Sequence, residues 1–198
     1  MAGPQIWTIP NLLSASRLLL AIVLFVVMER GRHGTALVLF LVAASTDWVD
    51  GWWARRFGQV SRLGRILDPL VDKVIVCGAF ILLAGRGAAG GAIAPWMAVV
   101  VVVRELIVTA VRSEMEREGH DFSAALSGKL KMVLQCAAVV LELAARAWPG
   151  WEPAGLDLRT AAGWTAWAAV VATVWSGVEY LVAARVLVAP GAGEPRGR

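Results

Sequence analysis

Four aspartates in this 198-residue chain have the types and spacing to do chemistry together. Asp47 and Asp50 stand three residues apart and Asp68 and Asp72 four apart, so on helices each pair projects from one face. Two such pairs on consecutive helices can converge on one point, and four converging carboxylates repel one another unless cations sit among them. The two histidines (His33, His120) and two cysteines (Cys77, Cys136) have no partners at ligand spacing, which argues against zinc. An all-oxygen donor set selects a hard ion such as Mg2+, Mn2+ or Ca2+. Four carboxylates suit two ions about 3.5–4 Å apart, the arrangement that clamps the attacking and leaving oxygens of a phosphoryl transfer. Gly51 and Ala54 continue the Asp47 stripe at i+4 and i+7, leaving a groove where a flat base or sugar can lie against backbone. Arg55, next in line, offers a bidentate fork to a phosphate. Two other readings compete: buried ion pairs of these acids with Arg55, Arg65 and Lys73, and a proton or cation pathway of a small transporter. Neither explains the glycine, alanine and arginine placements.

The elements that must position these groups are read from composition. Apolar residues make up 58% of the chain and charged residues 17%, with mean hydropathy +0.65. Soluble domains run near 45–50% and 25%, so a soluble globule, a disordered chain and a secreted disulfide scaffold are excluded in favour of an all-α integral membrane protein. Six stretches are long enough to span a bilayer: Leu12–Met28, Thr35–Ala54, Ile66–Ala84, Ala92–Val111, Leu126–Ala147 and Ala161–Val188. The second, third and fifth carry ionisable residues and are weak spans by hydropathy. The first is expected to be a retained helix, not a signal peptide, with an amphipathic segment leading into it. Residues 1–189 are expected to form one membrane domain, with 190–198 a mobile polar tail. Cys77 and Cys136 read as small buried hydrophobes.

Lys and Arg crowd the second-to-third and fourth-to-fifth connections (Arg55, Arg56, Arg62, Arg65; Arg112, Arg117, Lys129), against Arg30, Arg32, Arg86, Arg146 and Arg159 on the other face. The positive-inside rule then places both termini and the acidic cluster on the cytoplasmic side of a multi-pass protein. Trp148 and Trp151 fall at the outer interface and Trp52 and Trp53 near the inner one. The net charge of +4 fits this topology and anionic headgroup or phosphate contact; nucleic acid is not an expected partner. A second constellation lies on that cytoplasmic side. Arg104, Arg112, Lys129 and Lys131 can form a pocket for an anionic acceptor, such as a phosphate-bearing alcohol. The competing reading pairs Arg104 with Glu105 and lets the lysines snorkel to headgroups.

The run Asp47–Asp72 fits D-x2-D-G-x2-A-R-x8-G-x3-D-x3-D without departure, and in this it resembles the CDP-alcohol phosphotransferases. The resemblance implies a six-helix membrane enzyme with an N-terminal amphipathic segment, two divalent cations (Mg2+ or Mn2+), a CDP-linked donor and release of CMP. It implies Asp47, Asp50, Asp68 and Asp72 as metal ligands, Asp72 also as the general base, and Asp50, Gly51, Ala54, Arg55 and Gly64 around the CDP. The stretches Ile9–Arg17, Ser45–Val74, Arg104–Arg112 and Gly128–Lys131 look like bacterial phosphatidylglycerophosphate synthases. That likeness implies CDP-diacylglycerol and sn-glycerol 3-phosphate as substrates, a homodimer in the bacterial cytoplasmic membrane, and Asn11, Ser14 and Arg17 near the site. Within the same family, inositol phosphate, serine or phosphatidylglycerol are the alternative acceptors.

Overall fold

Long apolar runs broken only by short Gly- and Pro-bearing segments fold as helices, because a helix satisfies its own backbone whatever surrounds it. The computed structural model describes residues 9–57, 62–85, 91–117 and 126–188, with side chains over 16–46, 70–85, 91–117, 126–153 and 155–185. Among the described residues there are six α-helices and no strand: α1 (Ile9–Glu29), α2 (His33–Phe57), α3 (Arg62–Gly85), α4 (Pro95–Arg117), α5 (Leu126–Ala147) and α6 (Leu158–Val188). Each expected stretch lies within or overlaps one of them. The tail 190–198, His120 and the side chains of Trp52 and Trp53 lie outside the described residues.

The boundaries differ from expectation where a specific group intervenes. The fourth helix starts at Pro95, not Ala92. Proline sits well at the first helical position, where its missing N–H is no loss. The Ala92 N–H is instead donated to Glu142 Oε2 at 3.1 Å. The turn from α1 to α2 closes on Gly31, whose φ of 73° only glycine adopts without strain. Its N–H reaches Met28 O (3.0 Å) and that of Arg32 reaches Val27 O (3.2 Å), a Schellman pair that satisfies the last carbonyls of α1.

Helix α1 packs on α2 and α3, α3 on α4 and α5, and α5 on α2; α6 packs on α4 and most extensively on α5. Leu24, Met28, Phe40, Phe80, Leu83, Ile93 and Leu143 fill the shared core. In α6, Ala162, Ala166, Ala169, Thr173 and Ser176 form a fully buried stripe at alternating four- and three-residue steps, small enough for close helix approach. The opposite face of α6 exposes Trp164, Trp167, Val171, Trp175, Val178 and Val182, and α1 likewise exposes Leu19, Ile22, Val23 and Val26. Contiguous apolar surface of this kind is foreign to a protein surrounded by water. Among the described residues one helix, Leu158–Arg185, is long and apolar enough to cross a membrane by hydropathy.

One end of the bundle is held by such charges. Glu142, 1% exposed, takes the Ala92 N–H on one oxygen and Arg146 Nε (2.7 Å) on the other. Arg146 Nη2 donates in turn to Leu83 O (2.8 Å), an orphan carbonyl at the end of α3. Gly91 leaves room for this pair, since a Cβ there would lie 2.7 Å from Glu142 Oε1. A cavity of about 650 Å³ at this end is lined by His33, Gly91, Glu142, Arg146, Asp157 and Arg159, among others.

Asp157 caps α6, accepting from the Thr160 hydroxyl (2.5 Å) and from the N–H groups of Arg159 (3.1 Å) and Thr160 (3.0 Å). These bonds, the Thr160 hydroxyl foremost, hold its carboxyl below the ordinary carboxylate value. A depressed carboxyl contributes stability above its unfolded pKa and loses it as pH falls through the folded one. Asp157→Ala is therefore expected to lower the amide-exchange protection of residues 159 and 160 at pH 7. The wild type should converge on the variant as pH drops below the carboxylate range, and a pH-independent gap would exclude the ionised cap.

Candidate active site

Helix α3 carries Asp68 and Asp72 one turn apart, and α2 carries Asp47, Asp50, Gly51, Ala54 and Arg55. The side chains of Asp47, Asp50, Ala54, Arg55 and Asp68, like those of Asn11 and Ser14, lie outside the described residues, as does the detail around Gly51 and Gly64. Asp72 is described. It is half-buried, and its Oδ1 accepts a hydrogen bond from Arg17 Nη1 of α1 at 3.1 Å. Arg17 is only 2% exposed. A guanidinium that deep in an apolar bundle needs an anion beside it, and Asp72 is that anion.

Asp72 opens on a cavity of about 180 Å³ between α3, α4 and α5. Lys73, Val76 and Cys77 of α3, Glu105 of α4 and Lys131, Met132 and Gln135 of α5 line the rest. Glu105 (7% exposed) and Lys131 (6%) are both buried on its wall and form an ion pair through Glu105 Oε1 and Lys131 Nζ. The same oxygen accepts from Arg104 Nη1 at 3.2 Å. Arg104 is further held by α6: Nη2 donates to Ser176 Oγ (2.9 Å), and the guanidinium lies 5.6 Å from the Tyr180 ring centroid, a cation–π distance. Gly177 leaves room for its stem, since a Cβ at that position would come within 3.1 Å of Arg104 Cγ. Beside this group Gln135 Nε2 donates to Thr173 Oγ1 (2.9 Å), whose own hydrogen goes back to Ala169 O (2.6 Å).

Of the four cations expected at an acceptor pocket, the structure brings Arg104 and Lys131 together on Glu105, and of these two Lys131 lines the cavity with Asp72. Lys129 stands exposed, because residues two apart on a helix point to nearly opposite sides. Arg112, two turns along α4, is partly exposed and lies 3.6 Å from Glu116. Arg17 proves to be in direct contact with Asp72. Glu105, Gln135, Ser176 and Tyr180 were not singled out from sequence as site residues. The adjacent Arg104–Glu105 pair and the small-residue stripe of α6 were the available signals.

Chemically, a carboxylate that shares one small cavity with Lys73 and Lys131 can take a proton from a hydroxyl while a lysine holds an anion attached to it. Among the described residues no three His, Cys, Asp or Glu side chains meet as a ligand group. The donor chemistry nevertheless suits a hard divalent cation. Asp72 presents a partly accessible carboxylate, three more aspartates share its helix or α2, and His33 belongs to the cavity at the other end of the bundle.

Residues 7–175 match the family model described as CDP-alcohol phosphatidyltransferase. The chain is 35% identical over 190 residues to the CDP-diacylglycerol–glycerol-3-phosphate 3-phosphatidyltransferase of Escherichia coli (strain K12), covering 90% of this chain and 96% of that protein. It is 32% identical over 189 residues to the Bacillus subtilis (strain 168) protein of the same name, covering 88% and 93%. A Salmonella choleraesuis protein, again of that name, is 34% identical over 190 residues, covering 90% and 96%.

The Gln135–Thr173 bond is testable without reference to activity. Thr173→Val strands the buried Gln135 amide and is expected to cost about 1–3 kcal/mol, read by unfolding in detergent. Gln135→Leu combined with Thr173→Val removes both partners and should recover much of that loss, whereas strictly additive losses would mean the two groups are not coupled.

Proposed function

Because the chain belongs to the CDP-alcohol phosphatidyltransferase family, we propose that it transfers the phosphatidyl group of CDP-diacylglycerol to sn-glycerol 3-phosphate, giving phosphatidylglycerophosphate and CMP. The observation that carries this reading is that Asp72 and Lys131 line one cavity. A base for a hydroxyl and a holder for a phosphate belong together only if one molecule bears both groups.

In the proposed mechanism the protein spans a bacterial cytoplasmic membrane six times, with both termini and the site on the cytoplasmic side. The exposed apolar faces of α1 and α6 and the charge distribution along the chain support that placement. The acyl chains of the donor stay in lipid while its cytidine lies over Gly51 and Ala54, with Asp50, Arg55 and Gly64 around the CDP. Asp47, Asp50, Asp68 and Asp72 would hold two divalent cations, Mg2+ or Mn2+, whose chemistry is to neutralise the donor's pyrophosphate and the leaving CMP. Arg104 and Lys131 grip the phosphate of glycerol 3-phosphate, and the more exposed Arg112 and Lys129 draw the anion in from the aqueous side. Asp72 accepts the proton of the sn-1 hydroxyl. The hydroxyl oxygen bonds to the diacylglycerol-linked phosphorus as the bond from that phosphorus to the bridging oxygen of CMP breaks. Arg17 keeps the Asp72 carboxylate aimed, and Asn11 and Ser14 lie nearby at the start of α1. Positioning and charge neutralisation supply most of the acceleration. A homodimer, by resemblance to the family, completes the picture.

Purified protein in detergent is expected to release CMP from CDP-diacylglycerol only with Mg2+ or Mn2+ and glycerol 3-phosphate, and chelation should abolish release. Release with inositol phosphate, serine or phosphatidylglycerol instead would overturn the acceptor assignment. Cation flux in liposomes with no CMP release would favour the transport reading. Asp72→Asn should lower the thermal midpoint, because it takes a counter-charge from buried Arg17, and the folded variant should lose about 10²–10⁴ in kcat; near-normal turnover would remove Asp72 as base. Arg17→Met should lower kcat more than it raises either KM, because it frees the base without touching the acceptor's phosphate. A change confined to KM would place Arg17 in substrate binding instead.

A further inference from the structure

We infer that Glu105 is a positioning residue of the acceptor site: its carboxylate, tied to α6 through Arg104, holds Lys131 on the cavity wall where the acceptor's phosphate binds. This rests on the reading of the cavity as the site for glycerol 3-phosphate.

Two cations side by side in an apolar bundle repel each other and lose their water, so neither holds its place without a counter-charge. Glu105 supplies it from an unusual position. One oxygen, Oε1, takes hydrogen bonds from both Arg104 Nη1 and Lys131 Nζ, which ties a group of α4 to a group of α5 across the cavity wall. A counter-ion needed only for folding would serve equally well behind the cations. Glu105 instead reaches the cavity surface with Lys131. The far side of Arg104 is fixed independently by Ser176 Oγ and the Tyr180 ring. Lys131 is thereby set on the cavity wall before any anion arrives, and little reorganisation is left for the binding step.

The charge balance gives the inference a sharp consequence. Glu105 shares one negative charge between two positive ones, and the neighbouring Asp72 is paired with Arg17. If attraction by net charge decided acceptor affinity, replacing Glu105 by a neutral residue would make the pocket more positive and tighten binding. If placement decides, the same change weakens binding, because Lys131 leaves its place on the cavity wall. The two accounts differ in sign.

The test compares wild type, Glu105→Gln and Glu105→Asp in CMP-release kinetics, alongside equilibrium binding of radiolabelled glycerol 3-phosphate in the absence of CDP-diacylglycerol. For Glu105→Gln the expected result is a rise of about tenfold or more in KM and Kd for glycerol 3-phosphate, with KM for CDP-diacylglycerol unchanged within about twofold. Glu105→Asp keeps the charge that the fold needs and withdraws the carboxylate by one methylene. It should fall between wild type and Glu105→Gln, and it keeps the test decisive should Glu105→Gln fail to fold. Unchanged or tighter acceptor binding in a folded variant, or equal losses for both substrates, would overturn the inference and leave the proposed reaction standing. Wild-type binding of glycerol 3-phosphate that depends on Glu105 but yields no CMP would overturn the reaction and keep the inference. A wild type that neither binds nor uses glycerol 3-phosphate would sink both.

Discussion

Charged side chains that enter an apolar helical bundle have to bring their counter-charges with them, and here that requirement decides which helices touch. Arg17 joins α1 to α3 through Asp72, Glu105 joins α4 to α5 through Lys131, and Glu142 with Arg146 joins α5 to the end of α3 and the approach to α4. Apolar faces cannot make these choices on their own, since one leucine-rich face suits another about as well as it suits lipid. The buried ions set the neighbours, and the small-residue stripe of α6 then allows that helix to close against α4 and α5.

Two buried glutamates on these helices show how one side-chain type serves different ends. Glu142 spends its oxygens on a backbone N–H and on Arg146, whose own nitrogens go to that pair and to a helix-end carbonyl. The effect of that set is to fasten a connection at the end of the bundle, on the wall of the larger cavity. Glu105 lies eleven residues' worth of helix away, about 16 Å at 1.5 Å per residue, judged from Lys131 and Glu142 on α5. It holds Lys131 on the wall of the cavity that Asp72 also lines. The distinction lies in which groups share each cavity.

Much of this was legible in the sequence. The six helices follow from apolar runs between Gly- and Pro-bearing connections, and α5 coincides with its expected bounds, Leu126–Ala147. The aspartate spacing located the reactive region before any contact was known. Contacts between residues far apart in the chain were not legible, because pairing of Arg17 with Asp72 across 55 residues, or of Arg104 with Ser176 across 72, is decided by tertiary packing. Local geometry was also underused. Lys129 and Lys131 look equivalent as a basic patch, yet the 100° turn per residue sends one outward and the other into the bundle. Glu105 was visible only as the partner of a competing explanation for Arg104, whereas the structure makes it the centre of the cluster.

The order in which these pairs are completed has a bearing on how the chain is made. Asp72 is synthesised after its partner, so α3 meets a waiting Arg17 as it emerges. Arg104 arrives with Glu105 as its immediate neighbour and enters with its charge already matched, but Lys131 follows only 26 residues later and Ser176 only 72 residues after Arg104. At about 5–20 residues per second, that last gap is on the order of 4–15 seconds. Throughout it α4 has α3 beside it but lacks α6, the helix that completes its surroundings. The adjacency of Arg104 and Glu105 thus keeps the arginine's charge matched during the time before α6 exists.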